Sequence, residues 1–254
     1  MEILTADALV LEVRDLSDAD RLVTFLIRGA GKKAGVARGA RRKHSRYAGR
    51  FLPLSKLSLT WVEKPGRDLV RISSAETKRS SHRLQEDLEG ILVAAYLADQ
   101  ASVFVQEDEP GDLYFRLLDS TVEALLEGVP SDLAARYFEA WVLRLAGIFP
   151  PPEECPRCGR GLAEGAVLPS HEEMLLCPEC GGEDPAGLSV PPAVVTFFGR
   201  GLSKRLTALA EDPPDPEVLR RAEEVCVRIR RSFLQGELRS YRVLQQTRRQ
   251  LGEL

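Results

Sequence analysis

Two cysteine pairs, Cys155-Pro-Arg-Cys158 and Cys177-Pro-Glu-Cys180, form a C-x2-C, x18, C-x2-C array, and no other feature constrains the fold of this chain as tightly. Each C-x-x-C turns sharply enough to aim two thiolates one way, and two such knuckles complete a tetrahedral zinc shell. Gly159 and Gly181-Gly182 follow the pairs directly and let the backbone turn so that amide N–H groups face the sulfurs. Four thiolates leave no open coordination position. The expected site is therefore one structural zinc held by Cys155, Cys158, Cys177 and Cys180, whose binding energy folds a short, loop-rich excursion. A redox pair is disfavoured because two matching pairs are present. His171-Glu172-Glu173 with Pro178 and Cys180 has a faint likeness to the zinc-deaminase signature. However, His171 lies only six residues before Cys177, and Pro178 stands between the cysteines rather than before them. The fifth cysteine, Cys226, falls on the apolar stripe of a helix and reads as a small buried hydrophobe.

The charge pattern is equally uneven. Between Asp20 and Glu63 there is no acidic residue but there are eleven basic ones, in a chain whose formal net charge is -3. A one-signed block makes a local positive field, and its natural partner is a polyanion. The densest part runs from Lys32 to Arg46. There Lys32, Lys33, Arg38, Arg41, Arg42, Lys43 and Arg46 are the candidate nucleic-acid contacts, with glycines and small residues that let the backbone approach phosphates. From Ser81 to Glu154 the sign reverses, with fifteen acidic residues against four basic ones, so that region should avoid nucleic acid and leave an acidic face for scaffolding or a protein partner. No phosphate-cradling P-loop, G-x-S-x-G elbow or H-E-x-x-H helix occurs. His44, His82 and His171 are scattered, and Glu107-Asp108-Glu109 reads as a solvated charge run. No catalytic constellation assembles, so the chain is expected not to be an enzyme.

The 254 residues are enough for two or three units. No apolar run approaches the roughly 20 residues of a membrane span, and the first residues have neither a basic nor an apolar leader region, so a cytoplasmic location is expected. Runs at 8–14, 22–28, 33–38, 57–62 and 69–72 read as five short strands separated by turn residues, which suggests a small closed barrel of the OB type over residues 1–80. Helical spacing follows. One helix begins after Ser80 or Ser81 and ends at Pro110-Gly111, with Leu84, Leu88, Ile91, Leu92, Ala95, Tyr96 and Val103 on its apolar face. A second covers 113–126. A third covers 131–146 with Tyr137, Phe138 and Trp141 as core rather than a base-stacking platform. The expected organisation is a first helical part at 81–154, the metal module at 155–187 and a second helical part at 188–254. A helix opens that second part at Pro191-Pro192. The last long helix starts near Glu217, with Val218, Ala222, Val225, Cys226, Ile229, Phe233 and Leu234 apolar and its arginines, Arg220 to Arg249, exposed.

Taken in order, several segments carry a resemblance: Ala8 to Leu11, Asp18-Ala19-Asp20-Arg21-Leu22-Val23-Thr24, the Gly31 to Gly39 run into Ala40-Arg41-Arg42-Lys43-His44-Ser45-Arg46, and Leu52-Pro53-Leu54. Arg136-Tyr137-Phe138-Glu139 and the four cysteines follow. The chain resembles the RecO family of bacterial DNA repair and recombination mediators over nearly its full length. The resemblance implies an α+β chain: an N-terminal OB-fold β-barrel followed by an α-helical domain with an inserted four-cysteine zinc ribbon. It implies binding of single- and double-stranded DNA and annealing of complementary strands. It further implies partnership with RecR and single-stranded DNA-binding protein, which indirectly helps to load RecA in the bacterial nucleoid. A zinc-ribbon protein that binds RNA or assists transcription is the alternative from a different class.

Overall fold

The computed structural model describes residues 2–106, 111–182 and 184–252. Tertiary contacts divide the chain into two units. One comprises residues 1–127 and 238–254, and the other residues 128–237.

The first unit opens with strands β1 (Glu2–Asp15), β2 (Arg21–Ile27), β3 (Gly31–Ala37), β4 (Lys56–Glu63) and β5 (Leu69–Arg79). They close in the order β1-β2-β3-β5-β4, and β4 returns to β1. All neighbours are antiparallel except β3 and β5, which is the five-stranded Greek-key arrangement of an OB-type barrel. Closure depends on one glycine. A Cβ on Gly35 would lie 2.9 Å from Val70 Cγ2 and 3.0 Å from Ile72 Cγ1, so β3 reaches β5 only where the side chain is missing. Val10, Phe25, Ile27, Leu57, Leu59 and Trp61 fill the interior. A register shift between Val10 and Glu12 marks a bulge in β1, the device that lets a long strand bend around a small barrel.

Helix α1 spans Leu88–Phe104 and α2 spans Asp112–Leu126. The N-cap of α1 is Asp87, whose carboxylate accepts the Gly90 N–H, rather than Ser80 or Ser81. Ser81 is buried at the barrel's edge, where its Oγ meets Ser55 Oγ at 2.9 Å and donates to Pro53 O at 2.6 Å. The buried face of α1 also differs from the sequence expectation. It comprises Val93, Ala94, Tyr96, Leu97, Ala98, Ala101 and Phe104, while Leu88, Ile91 and Val103 are exposed, because α1 is covered from two sides, by the barrel and by a C-terminal helix. The expected stop at Pro110 and the run Glu107-Asp108-Glu109 lie outside the described residues. Much of the acidic surplus serves this packing. Asp112 accepts the Gly29 N–H at 2.8 Å, and Asp119 binds Lys56 at 2.6 Å and Arg79 at 2.8 Å, so α2 is tied to the barrel by its carboxylates.

The second unit contains α3 (Ser131–Leu145), a two-stranded ribbon of β6 (Ala166–Leu168) and β7 (Leu188–Val190), and the short α4 (Pro178–Gly181) between them. Helices α5 (Pro192–Gly201), α6 (Leu206–Ala210) and α7 (Pro216–Leu234) follow. Tyr137 and Phe138 are buried, and Trp141 donates its indole N–H to Gly201 O at 3.0 Å, so these aromatics belong to the core. Cys226 is fully buried in α7, and burial pushes its thiol well above the ordinary range.

The expected single last helix is two. Helix α7 ends at Gln235, which is left-handed at φ 52°, and Gly236 follows. The chain then returns to the first unit as α8 (Arg239–Leu251), which packs on α1. The stripe drawn through one long helix therefore breaks. Leu219 is buried where Val218 is only half-buried, and Phe233 is 49 % exposed. Arg230 and Arg248, expected on the surface, are buried. Among the described residues no helix is long and apolar enough to cross a membrane.

Candidate nucleic-acid interface and metal centre

The segment from Arg38 to Ser55 joins β3 to β4. It is folded back against the barrel rather than hanging from it. Ala40, Tyr47 and Phe51 are buried in the barrel core. Tyr47 stacks on Phe51 with centroids 5.2 Å apart, Phe51 meets Phe25 edge-on, and the Tyr47 hydroxyl donates to Ile72 O at 3.1 Å. Arg50 binds Ala75 O. The other end of the segment is pinned to the β1–β2 turn, where Gly39 N–H donates to Asp20 Oδ1 at 2.8 Å and Arg41 N–H donates to Ala19 O at 3.0 Å. Two aromatic anchors and a hydrogen-bonded base hold the intervening cations in fixed positions.

The seven expected contact residues divide into two groups. Lys32 donates to Ser102 O at 2.7 Å, Lys33 lies 3.2 Å from Glu63, and Arg41 donates to Ser17 O at 2.8 Å and lies 3.4 Å from Asp15. These three hold the fold together while adding to the positive field. Arg38, Arg42, Lys43 and Arg46 are exposed and have no carboxylate partner among the described residues; Arg46 rests over the Tyr47 ring at 4.9 Å. The structure adds cations that the sequence reading missed. A groove of about 580 Å³ runs between the end of β3 and the β4–β5 turn, with Val36 and Val70 in its wall and Arg38, Lys64, Arg67 and Arg71 around it, against the single carboxylate of Asp68. Lys64, Arg67 and Arg71 lie beyond Glu63 and so outside the acid-free block. Only the pairing of β3 with β5 brings them to Arg38.

In the second unit, the thiols of Cys155, Cys158, Cys177 and Cys180 converge, with all four sulfurs within 4.8 Å of one another. Metal–sulfur bonds of about 2.3 Å in a tetrahedron give edges of about 3.8 Å, and Cys158 Sγ to Cys177 Sγ measures 3.7 Å. The donor set and its size fit one tetrahedral thiophilic ion. Gly159, at φ 72°, donates its N–H to Cys155 O, and Gly181 N–H donates to Cys177 O, which closes each knuckle. Backbone amides, that of Cys177 foremost, hold the Cys155 thiol down to about 6, while hydrogen bonding with Cys158 and Cys177 pushes the Cys180 thiol up to about 12. Around the cluster, Arg157 donates to Cys180 O at 2.8 Å and pairs with Glu172, and Arg160 pairs with Glu179. Asp184 accepts the Ser170 N–H at 2.7 Å and the Ala186 N–H at 3.0 Å. These bonds, that from Ser170 first, hold its carboxyl down to about 2. His171 is exposed and stands outside the cysteine group, so the resemblance to a deaminase site has no geometry behind it among the described residues.

Barrel topology, a pinned cationic loop and a closed four-cysteine site together define an OB-fold protein with a helical, cysteine-bearing C-terminal part. Comparison with known proteins narrows the class to one family. Residues 1–81 match the family model described as Recombination protein O N terminal, and residues 85–242 match Recombination protein O C terminal. The chain is 33 % identical over 96 % of its length, and 96 % of the relative's, to the DNA repair protein RecO of Anaeromyxobacter sp. strain K. It is 31 % identical to that of Roseiflexus sp. strain RS-1 over 96 % of this chain and 86 % of the relative. To that of Desulforamulus reducens it is 33 % identical over 71 % and 70 % of the two chains. This chain belongs to the RecO family of DNA repair and recombination proteins.

Proposed function

We propose that this chain is a recombination mediator that binds single- and double-stranded DNA, anneals complementary strands and performs no covalent chemistry. With RecR and single-stranded DNA-binding protein as partners it would help load RecA in the bacterial nucleoid. The observation that carries the reading is the pinned β3–β4 segment, whose Arg38, Arg42, Lys43 and Arg46 stand exposed over buried Tyr47 and Phe51, unpaired with carboxylates among the described residues. Fixed cations of this kind neutralise phosphates and release counterions without any sequence preference. Annealing needs that and little more, because the barrier to bringing two strands together is phosphate repulsion. Lys32, Lys33 and Arg41 contribute field rather than direct contact on this reading. The cysteine cluster holds one zinc, which stabilises the helical part and takes no role in chemistry. The barrel is the DNA-binding domain, and the helical segments around the metal module serve as its scaffold and partner surface.

Changing Arg42, Lys43 and Arg46 together to Ala tests the reading. Each phosphate contact on a single strand contributes a slope of about -0.7 to log K against log salt, so the triple change should flatten the slope by about 2. Binding to all sequences should weaken alike, with annealing reduced in parallel, no ATP required and both strands recovered intact. A folded triple variant with unchanged affinity and slope would refute the assignment. A preference for RNA over both forms of DNA would favour the RNA-binding alternative.

A further inference from the structure

The run from Leu238 to Gly252 is a second acid-free cationic stretch, with Arg239, Arg242, Arg248 and Arg249 and no Asp or Glu. In α8 these arginines part company. Leu244 is buried and Arg248 turns inward to pair with Glu89 of α1, which fixes the inner face. Ser240 supports the same orientation through its hydrogen bond to Asp99 of α1. At 3.6 residues per turn, Arg239, Arg242, Gln246 and Arg249 then fall within an arc of about 80° on the opposite side. The side chains of Arg239, Arg242 and Arg249 are exposed and have no hydrogen-bond or ion-pair partner among the described residues. The arginines of α7 contrast with them. Arg220 and Arg221 pair with Glu217 and Glu224, Arg228 donates to Ala186 O, and Arg230 is buried on Glu237.

We propose that the outer face of α8 is a second phosphate-binding surface, fitted to a nucleic-acid backbone and carried by a different element from the β3–β4 segment. It rests on the DNA-binding reading above and adds a second contact surface to it. Like charges three residues apart on one helix face repel, so Arg239 and Arg242 oppose folding slightly and gain nothing in return from a carboxylate among the described residues. A polyanion removes that repulsion. The arc from Arg239 to Arg249 is about 15 Å long, which spans roughly four phosphates of one strand at about 3.4 Å of rise. Guanidinium groups and the Gln246 amide suit phosphate and sugar oxygens. The arc itself is wholly polar, with exposed Val243 at its edge, and so presents no large apolar anchor among the described residues of α8 of the kind on which protein interfaces depend. Two basic surfaces on one chain also supply what annealing demands, a place for each strand.

The test uses the full chain with Arg239, Arg242 and Arg249 changed together to Gln, and a second variant with the same three changed to Lys. The expected result for the Gln variant is a single-strand salt slope shallower by about 2, so that its loss of affinity between 50 and 200 mM salt is about 20-fold smaller than the parent's. Annealing should be slower, and the melting temperature unchanged. The Lys variant should keep the parent slope, because the slope counts charges. Parent-like slope and annealing in the Gln variant would overturn the proposal while leaving the mediator reading intact, and would assign the face to solvent or to an acidic protein. A Lys variant that fell with the Gln variant would equally overturn it, because the effect would not be one of charge. Failure of the parent itself to bind DNA would instead remove the reading on which the proposal stands.

Discussion

Replacing Arg136 by Met should unfold the second unit at a much lower temperature than its small change in volume suggests. Arg136 and Glu139 face one another one turn apart in α3, at 1 % and 0 % side-chain exposure, with Nε to Oε2 at 2.6 Å and Nη2 to Oε1 at 2.8 Å. Arg136 Nη1 also reaches Glu223 of α7 at 2.8 Å, and Arg230 of α7 lies 2.6 Å from Glu237 and 3.8 Å from Glu139. Buried guanidinium groups and carboxylates thus form one ion-pair network in the core, with Arg231 at its rim 4.0 Å from Glu237. Removing Arg136 takes a paired cation from Glu139 and Glu223, while Arg230 stays 3.8 Å from Glu139. Breaking one side of a buried pair costs about 3–5 kcal/mol, a large share of the roughly 5–15 kcal/mol that holds a domain together. In a unit of this size each kcal/mol moves the midpoint by about 4 °C, so a drop of about 12–20 °C is expected by calorimetry or circular dichroism. Arg136→Met combined with Glu139→Leu should recover part of the loss, because the Glu139 charge goes with its partner and Arg230 keeps Glu237, while Glu223 still lacks Arg136. A single variant within about 1 kcal/mol of the parent would refute the reasoning. So would a double variant as unstable as the single one.

Two further outcomes are expected. Purified protein should contain one zinc per chain, and Cys177→Ser or exhaustive chelation should lower the melting temperature of the second unit; an identical melting curve without metal would show that the cluster is not structural. The Asp184 carboxyl, held at about 2 by the Ser170 N–H, has a folded value below its ordinary 3.8. Its contribution is therefore present above about pH 4 and lost as pH falls through 2. Asp184→Asn should flatten the fall in melting temperature over that window, and an unchanged acid profile would count against the assignment.

The barrel and the metal centre were legible in the sequence because both are written locally. Strand runs broken by turn residues gave five strands, and cysteine spacing alone picked out the four thiols that cluster within 4.8 Å. What stayed hidden depends on pairing across the chain. Lys64, Arg67 and Arg71 lie past Glu63, outside the acid-free block, and only the pairing of β5 with β3 sets them beside Arg38. Lys32 and Lys33 looked like the start of the contact surface, yet their side chains find Ser102 and Glu63. Asp112 and Asp119 looked like a free acidic face, but they dock α2 on the barrel. The helix break at Gln235 was invisible because neither Gln235 nor Gly236 interrupts an apolar period strongly enough to stand out. The Arg136-Tyr137-Phe138-Glu139 segment was legible as a family mark but not as a core ion pair, since nothing in a helical stripe announces a buried arginine.

The arginines of the last two helices show why charge sign alone is a poor guide to function. In sequence, Arg220 to Arg249 is one basic face. In the structure most of the α7 group is matched, either by carboxylates one turn away, as with Glu217 and Glu224, or by burial on Glu237, while Arg228 donates to the Ala186 carbonyl and the exposed Arg231 lies 4.0 Å from Glu237. Matched charges add little stability on a surface and exert little field beyond it, since their partners cancel them within a few ångströms. Among the described residues the exposed α8 arginines lack that cancellation, and so do Arg38, Arg42, Lys43 and Arg46 of the β3–β4 segment. A chain of net charge -3 can therefore hold a polyanion, because its carboxylates stand opposite the arginines of α7 and the barrel's own lysines, leaving two sets of cations to act outward. Partner geometry decides which basic residues are left to act outward, and part of the acidic surplus that first argued against nucleic acid, Glu89, Asp99, Asp112, Asp119 and Glu139, is used inside the fold.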